Sequence, residues 1–407
     1  MTEEGSGQPV AKRMWWRMAT GGLLLLFFLL LFLLWPSSDL PRTFPPEIEH
    51  LDRQIRAAGI IDLFPDQYAA FHQQVSDLRN HWRQETGRWL PSWTIEEFTE
   101  SYQHLIASGT TLLTAAQQKK NALREQLTTI VRGEEAQLTR LRNLNGLFDL
   151  RGKRTALSRA ESFLTQATSH LAHERFEAVA PLLNQARKSL NPVEIFAIEQ
   201  MSRYADSRQI GQWNRWVTDT LDQSRRTGSP VIVVIKSSQE FRLYRNGRLH
   251  YTFPSDLGFS GLQDKRYEGD GATPEGIFHI VQKKSAGETR FYKALMLDFP
   301  TPMHQRRFQK AKVRGLIPAN RGIGGLIEIH GQPSGGNDLT NGCVALDNTL
   351  MDKLFPLVPL KTPVVIVGAL ASANPVSARL TPIFEHHTTR QEIPLLSFNR
   401  PSGSSID

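Results

Sequence analysis

Two residues with reactive side chains, His330 and Cys343, stand on either side of a glycine-rich polar loop. The segment reads IEIHGQPSGGNDLTNGCVAL from Ile327 to Leu346, so a predicted strand ends at the histidine and the loop leads back to the cysteine. A thiol with a pKa of about 8.5 needs a neighbouring imidazole to attack a carbonyl at neutral pH. The loop allows this pair to meet, which predicts a cysteine nucleophile with a histidine base.

The residues around the pair can supply the other parts of such a site. A backbone carbonyl in the turn after His330, or a carboxylate, would fix the tautomer of the imidazole. Gly342 permits close approach of the backbone, so the amides of Gly342 and Cys343 can form an oxyanion hole. Glu328 alternates with apolar neighbours and fits either a residue of the site or a half-exposed strand residue. His279, in a presumed strand, and His304, in a polar segment, are weaker candidates for the base.

A mostly β domain of about 140 residues, over 230–368, must position these groups. At Arg225–Pro230 the residue pattern changes from one typical of helices to one typical of strands. One helix is expected within this domain, over Asn348–Phe355. Short apolar runs separated by turn residues predict strands over Val231–Lys236, Glu240–Tyr244, His250–Phe253, Gly276–Gln282, Ala294–Asp298, Gly325–His330 and Pro363–Val367. The tail over 369–407 is rich in Pro, Ser and Thr, which predicts loose order.

Residues 48–225 have few prolines and apolar residues at three-and-four spacing, which predicts a helical domain. Polar breaks in the heptad pattern around Leu113–Phe148 favour an antiparallel hairpin or bundle over a long dimeric coiled coil. Further helices are expected over 156–172, 174–190 and 192–223. We interpret this domain as a helical spacer, a bundle that presents substrate or a surface for a protein partner.

An uncharged apolar run over residues 18–35 predicts a membrane helix, since about 20 apolar residues span a bilayer. Lys12, Arg13 and Arg17 precede it, so residues 1–17 are expected in the cytoplasm and the rest outside. A cleaved signal peptide is the alternative, but no small-residue cleavage site follows the run. Residues 36–47 read as a linker. The expected location is the inner membrane, single-pass, with the catalytic domain on the periplasmic side.

Composition limits the possible partners of the 407-residue chain. An exported chain with one cysteine cannot form an internal disulfide, so Cys343 is an unpaired thiol. The net charge of +8 fits an anionic cell-wall or membrane surface, or simply a solvated face, and no nucleic acid partner is expected. No metal site is expected either, because His386 and His387 are adjacent and lack ligand spacing. A papain-like order, with cysteine before histidine, is absent.

Over residues 230–368 the chain resembles the L,D-transpeptidase (YkuD-type) catalytic domain. Its hallmark stands here as His330-Gly331, a loop, then Thr340-Asn341-Gly342-Cys343-Val344. A second block, GDGATPEG over 269–276, resembles the turn with Thr-Pro-Glu-Gly that enters a core strand in this family. The resemblance implies a β-sandwich or barrel, so the expected fold is α+β and multidomain, with a membrane helix, a helical middle domain and this catalytic domain.

The resemblance also implies a reaction on peptidoglycan stem peptides without a cofactor. Cys343 would attack the carbonyl of the third residue of a tetrapeptide stem, release D-alanine and hold a thioester that an amine acceptor resolves. His330 would serve as base and then acid, and the carbonyl of Gly331 would orient it. Thr340 and Asn341 would contact substrate.

Two positions depart from the family pattern. Many members have His and Arg where this chain has Asn341 and Ala345, and that Arg is credited with orienting the site or binding a carboxylate. Arg321 is a candidate substitute, or a solvated surface residue. The form Gly-Cys-Val-Ala resembles a divergent branch whose members hydrolyse wall-linked amides. A hydrolase on the same scaffold and an inactive wall-binding scaffold therefore remain as alternatives.

Overall fold

The structure is a computed structural model that describes residues 26–27, 29–30, 40–86, 94–145, 147–332 and 340–394. Seven helices precede the β domain in this described part of the chain. They are α1 (Pro46–Ala57), α2 (Ile60–Leu63), α3 (Pro65–Thr86), α4 (Ile95–Arg142), α5 (Arg154–Ala172), α6 (Phe176–Ser202) and α7 (Ser207–Thr227).

The chain divides into two compact units, with the boundary inside α4 between Leu123 and Arg124. The first unit has its own apolar core, to which Ile48, Ile55, Phe71 and Ala116 contribute fully or almost fully buried side chains. The second unit combines the end of α4, the helices α5 to α7 and the β domain. It contains both His330 and Cys343.

The helix boundary expected at Pro192 is wrong, because α6 continues through Pro181 and Pro192 to Ser202. Its buried stripe passes the second proline without a break, from Leu190 to Val193 and Ala197. Packing of that stripe outweighs the hydrogen bond that an internal proline removes. The next helix, α7, begins after Asp206, whose carboxylate accepts a hydrogen bond from the Arg208 amide as an N-cap.

The β domain is an eight-stranded, mostly antiparallel sheet that almost closes on itself. Its spatial order is β3-β2-β1-β8-β4-β5-β6-β7. Beyond β3, Asp256 and Ala345 exchange backbone hydrogen bonds of 2.8 and 2.9 Å, which brings the β7 edge to the other end of the sheet. The strands are β1 (Val231–Ile235), β2 (Glu240–Arg245), β3 (Arg248–Pro254), β4 (Gly276–Lys284), β5 (Ala294–Leu297), β6 (Glu328–Gly331), β7 (Val344–Leu346) and β8 (Pro363–Val367).

Three further helices belong to this unit: α8 (Pro302–Val313), α9 (Asn348–Leu354) and α10 (Pro375–Thr388). The expected helix after the cysteine is confirmed as α9, whereas α8 was not foreseen. Loose order after residue 368 is wrong for 375–388. There α10 has an Asn374 capping box, and its Val376 and Ile383 side chains are buried.

The expected membrane segment, residues 18–35, falls outside the described residues apart from 26–27 and 29–30. Among the helices that the structure describes, none has both the length and the apolar character needed to cross a bilayer.

Candidate active site

Strand register brings His330 and Cys343 to one face of the sheet. The parallel strands β6 and β7 pair Ile329 with Val344 and His330 with Ala345, so Cys343 lies beside Glu328. Side chains alternate along a strand, so the even-numbered residues of β6 share a face with Cys343. Both His330 and Cys343 line a cavity of about 590 Å³.

The His330 ring is fixed on two sides and free at one nitrogen. Its Nδ1 donates a hydrogen bond of 2.8 Å to the Gly331 carbonyl, and the Phe291 ring stacks on it with 3.5 Å between centroids. Nε2 is buried and has no hydrogen-bond partner among the described residues. Burial lowers the pKa of His330, which keeps the imidazole neutral and able to accept a proton at Nε2.

The Cys343 thiol lies at the cavity wall, with 8% of the residue exposed. The Glu328 amide donates to Sγ at 3.4 Å, and the thiol lies 3.6 Å from the Leu326 carbonyl oxygen. Burial raises the pKa of Cys343, with the Glu328 amide acting in the opposite direction. The resting pair is therefore a neutral thiol with a neutral imidazole, and the thiolate forms as the proton moves to His330.

The turn before Cys343 depends on a glycine. Gly342 has φ +119, and a Cβ there would lie 2.6 Å from the Ala272 carbonyl oxygen. The amides of Gly342 and Cys343 donate to no backbone carbonyl in the part of the chain that the structure describes, as the donors of an oxyanion hole require. Thr340 donates from Oγ1 to the Cys343 carbonyl at 2.8 Å and so supports the turn.

The three expected substrate contacts occupy different surroundings. Asn341 is exposed and lines the cavity, as does Thr340, although the hydroxyl proton of Thr340 is used within the turn. Arg321 is exposed and is not part of the cavity wall. Its guanidinium lies behind the wall, 3.6 Å from the position that a Cβ on Gly269 would take. Among the described residues, the cations that line the cavity are Arg290 and Lys265.

The sequence did not single out Arg290 or Phe291. The guanidinium of Arg290 lies 4.7 Å from the centroid of the Phe291 ring, which in turn stacks on His330. These residues reach the site because Ala294 of β5 pairs with His330 of β6 in antiparallel register. Strand pairing brings them there, and the local sequence carries no signal of that pairing.

Glu275 of the Thr-Pro-Glu-Gly block anchors the β domain to the helices α6 and α7. Its carboxylate accepts from Lys236 Nζ at 3.0 Å and Trp213 Nε1 at 3.2 Å, and it forms an ion pair with Arg203. Lys236 also donates to the Thr273 carbonyl at 2.8 Å. The second family-like block is therefore a structural junction, next to the glycine turn that holds Gly342.

Within the described ranges, no group of three or more His, Cys, Asp or Glu side chains is arranged to hold a metal ion. His386 and His387 pair instead with separate carboxylates, Glu134 at 3.3 Å and Glu194 at 3.0 Å. These pairs fasten α10 to helices α4 and α6.

Comparison with known proteins points to one family. Residues 229–366 match YkuD, the L,D-transpeptidase catalytic domain. The Escherichia coli (strain K12) protein named "Putative L,D-transpeptidase YafK" is 24% identical over 153 residues, which are 36% of this chain and 52% of YafK. The chain thus spans about half the length of the curated relatives it matches.

Two solved structures are similar at low identity. Bd1075 of Bdellovibrio bacteriovorus is 20% identical with a TM-score of 0.28, covering 40% of this chain and 57% of Bd1075. The helical cell shape determining protein Pgp2 of Campylobacter jejuni, solved as a mutant, is 21% identical with a TM-score of 0.28, covering 42% of this chain and 61% of Pgp2. By the match over residues 229–366, the chain carries a catalytic domain of the YkuD, L,D-transpeptidase family.

Proposed function

We propose that this protein is a cysteine-dependent L,D-transpeptidase that acts on peptidoglycan tetrapeptide stems. The observation that carries the proposal is the pairing of β6 with β7. It places an oriented imidazole with a free Nε2 and a thiol at one cavity, beside two unused backbone amides.

In the first step, Sγ of Cys343 attacks the carbonyl of the third stem residue while His330 Nε2 takes the thiol proton. The amides of Gly342 and Cys343 stabilise the oxyanion, in the manner of other acyl-transfer sites. The bond to the terminal D-alanine then breaks, and His330 returns the proton to the leaving amine. The product is a thioester on Cys343.

In the second step, an amine acceptor attacks the thioester and the C–S bond breaks. His330 Nε2 takes a proton from the attacking amine and passes it to the departing Cys343 thiolate, which restores the thiol. The buried, neutral state of the imidazole suits both directions of this transfer.

The wall of the catalytic cavity carries the exposed cation Arg290 and the exposed carboxylate Glu268. Ala345 lacks the cation that many family members have there, and its backbone is paired with Asp256. Arg290 and Lys265 lie in the cavity wall, and Lys265 is buried and paired with Asp270 at 2.9 Å. We therefore assign Arg290 the role of binding a stem carboxylate.

We also propose that residues 18–35 anchor the protein in the inner membrane, with the catalytic domain on the periplasmic side, where peptidoglycan lies. The uncharged apolar run and the basic residues before it support this location. Protease accessibility of the catalytic domain in spheroplasts, compared with intact cells, tests it.

The reaction is tested by incubating the protein with a stem tetrapeptide, with and without an amine acceptor, and following the products by mass spectrometry. His330→Asn should abolish acyl transfer, whereas His279→Asn should not, because His279 is half exposed and pairs with Asp298. A crosslinked product supports transpeptidation. Release of D-alanine with only a hydrolysed tripeptide, whatever the acceptor concentration, would instead identify a hydrolase on this scaffold.

A further inference from the structure

A second cavity, of about 490 Å³, lies next to the catalytic cavity in the same unit. Its walls come from α6, α7 and α8 and from the two loops over 264–266 and 316–323. Lys265 lines both cavities, and the consecutive residues Ile323 and Gly324 line one cavity each. The two cavities are therefore separated by the thickness of these loops.

The helical wall of this cavity presents polar side chains that make no hydrogen bond within the described part of the chain. Gln209, Gln212 and Trp216 lie on one face of α7, at the spacing of a helical stripe, and Gln200 on α6 joins them. The three carboxamides have no hydrogen-bond partner among the described residues. A carboxamide both donates and accepts, so such a wall suits the amide groups of a peptide.

One cation of the cavity is also available. Arg203 and Arg307 are committed to Glu275 and Asp264, and Lys265 to Asp270. The Arg266 guanidinium donates to the Leu316 carbonyl at 3.1 Å and pairs with no carboxylate within the described part of the chain. An exposed guanidinium without a counter-charge suits a ligand carboxylate.

We propose that this cavity binds the acceptor, a second stem peptide whose amine resolves the thioester on Cys343. The inference rests on the proposed function. A stem peptide carries amides for the glutamines, a carboxylate for Arg266 and short aliphatic groups for the apolar wall at Phe308. The donor carbonyl lies at Cys343, so the body of the acceptor would occupy the neighbouring cavity and its side-chain amine would reach the thioester past Lys265, which lines both cavities. The helices α6 and α7 then form part of the substrate site.

The test uses the full chain with a stem tetrapeptide as donor and a stem tripeptide as acceptor, since the tripeptide lacks a D-alanine to release. The measured quantity is the acceptor concentration at half-maximal transfer. Gln209→Ala combined with Gln212→Ala, and separately Arg266→Gln, should each raise it about tenfold or more. The rate of Cys343 acylation by the donor should change less than twofold.

Gln223→Ala and Arg215→Gln are matched controls on α7, outside the cavity wall, and should leave the acceptor dependence unchanged. Thermal unfolding of each variant establishes that it is folded. An unchanged acceptor dependence in both cavity variants overturns the proposal. The proposal is also overturned if these variants weaken binding of an N-acetylated tetrasaccharide without peptide, while the tripeptide concentration at half-maximal transfer stays as in wild type. The cavity would then bind glycan.

A separate binding measurement distinguishes failure of this inference from failure of the proposed function. If the wild-type protein forms no adduct on Cys343, the proposed reaction is wrong. Calorimetric titration of the tripeptide into Cys343→Ala protein still tests the cavity: binding weakened by Arg266→Gln supports it, and binding that is absent or insensitive to Arg266→Gln contradicts it.

Discussion

Substituting Gly342 with alanine should damage both stability and catalysis, because the new methyl group meets the backbone. Gly342 has φ +119, a conformation that residues with a Cβ rarely adopt, and its Cβ would lie 2.6 Å from the Ala272 carbonyl oxygen. The obstructing atom belongs to the main chain next to the Thr-Pro-Glu-Gly block and cannot rotate away. Either the turn or the neighbouring loop must move.

The magnitude follows from two costs. Backbone strain at positive φ costs about 1–2 kcal/mol, and forced overpacking adds about 1–3 kcal/mol. The free energy of unfolding should fall by about 2–5 kcal/mol, which lowers the unfolding temperature by roughly 4–20 °C for a unit of this size. A displacement of Cys343 by about 1 Å should also slow acylation about a hundredfold.

Gly287→Ala is the matched control, because Gly287 also has positive φ, +92, but no atom lies within 4 Å of its added Cβ. It should show the strain cost alone, with acylation unchanged. Thermal unfolding and the rate of adduct formation on Cys343 measure the two effects. If Gly342→Ala unfolds no earlier than Gly287→Ala and acylates at the wild-type rate, the close contact at Ala272 is refuted as a constraint on the site.

Three further predictions concern the charge and packing of the site. Burial lowers the pKa of His330 from 6.5 and raises the pKa of Cys343 from 9.0. Protonation of His330 should therefore reduce the acylation rate to half at a pH below 6.5 in a pH profile of adduct formation. A half-maximal rate on the acid side above pH 7 would contradict this. Lys236→Met leaves the buried Glu275 carboxylate short of one partner and should cost about 3–5 kcal/mol in chemical denaturation, and a loss under 1 kcal/mol would argue against the junction. Leu326 has φ +56 and is 74% exposed at the cavity. Leu326→Gly should relieve backbone strain and keep the free energy of unfolding within about 1 kcal/mol of wild type, while loss of the apolar side chain raises the KM for the donor about tenfold. An unchanged KM would exclude a contact between Leu326 and the substrate.

Much of the β domain followed from the sequence because apolar runs between turn residues mark its strands. The seven expected strands are confirmed, with shifts of a few residues at their ends. The helix α8 escaped prediction since only His304 and Phe308 of its twelve residues are buried, too few to show an apolar periodicity. The strand β7 has three residues and is recognised only because it pairs with β6. A pairing between distant segments leaves no pattern in the local sequence.

The candidate site was predictable only where it is local in sequence. His330, Gly331, Gly342 and Cys343 flank one loop, so their spacing sufficed to bring them together. Arg290 and Lys265 come from other segments and reach the cavity through strand pairing and loop packing, which the sequence did not show. Arg321 was chosen by nearness along the chain; it does not itself line the cavity, but its guanidinium lies beside Gly269, which does.

The most direct test of the central claim is mass spectrometry of the intact protein after incubation with a disaccharide tetrapeptide. We predict an adduct equal to the substrate minus D-alanine on the wild-type chain, none on Cys343→Ala, and loss of the adduct when an amine acceptor is added. A wild-type protein that forms no adduct, or an adduct that persists in Cys343→Ala, would contradict it.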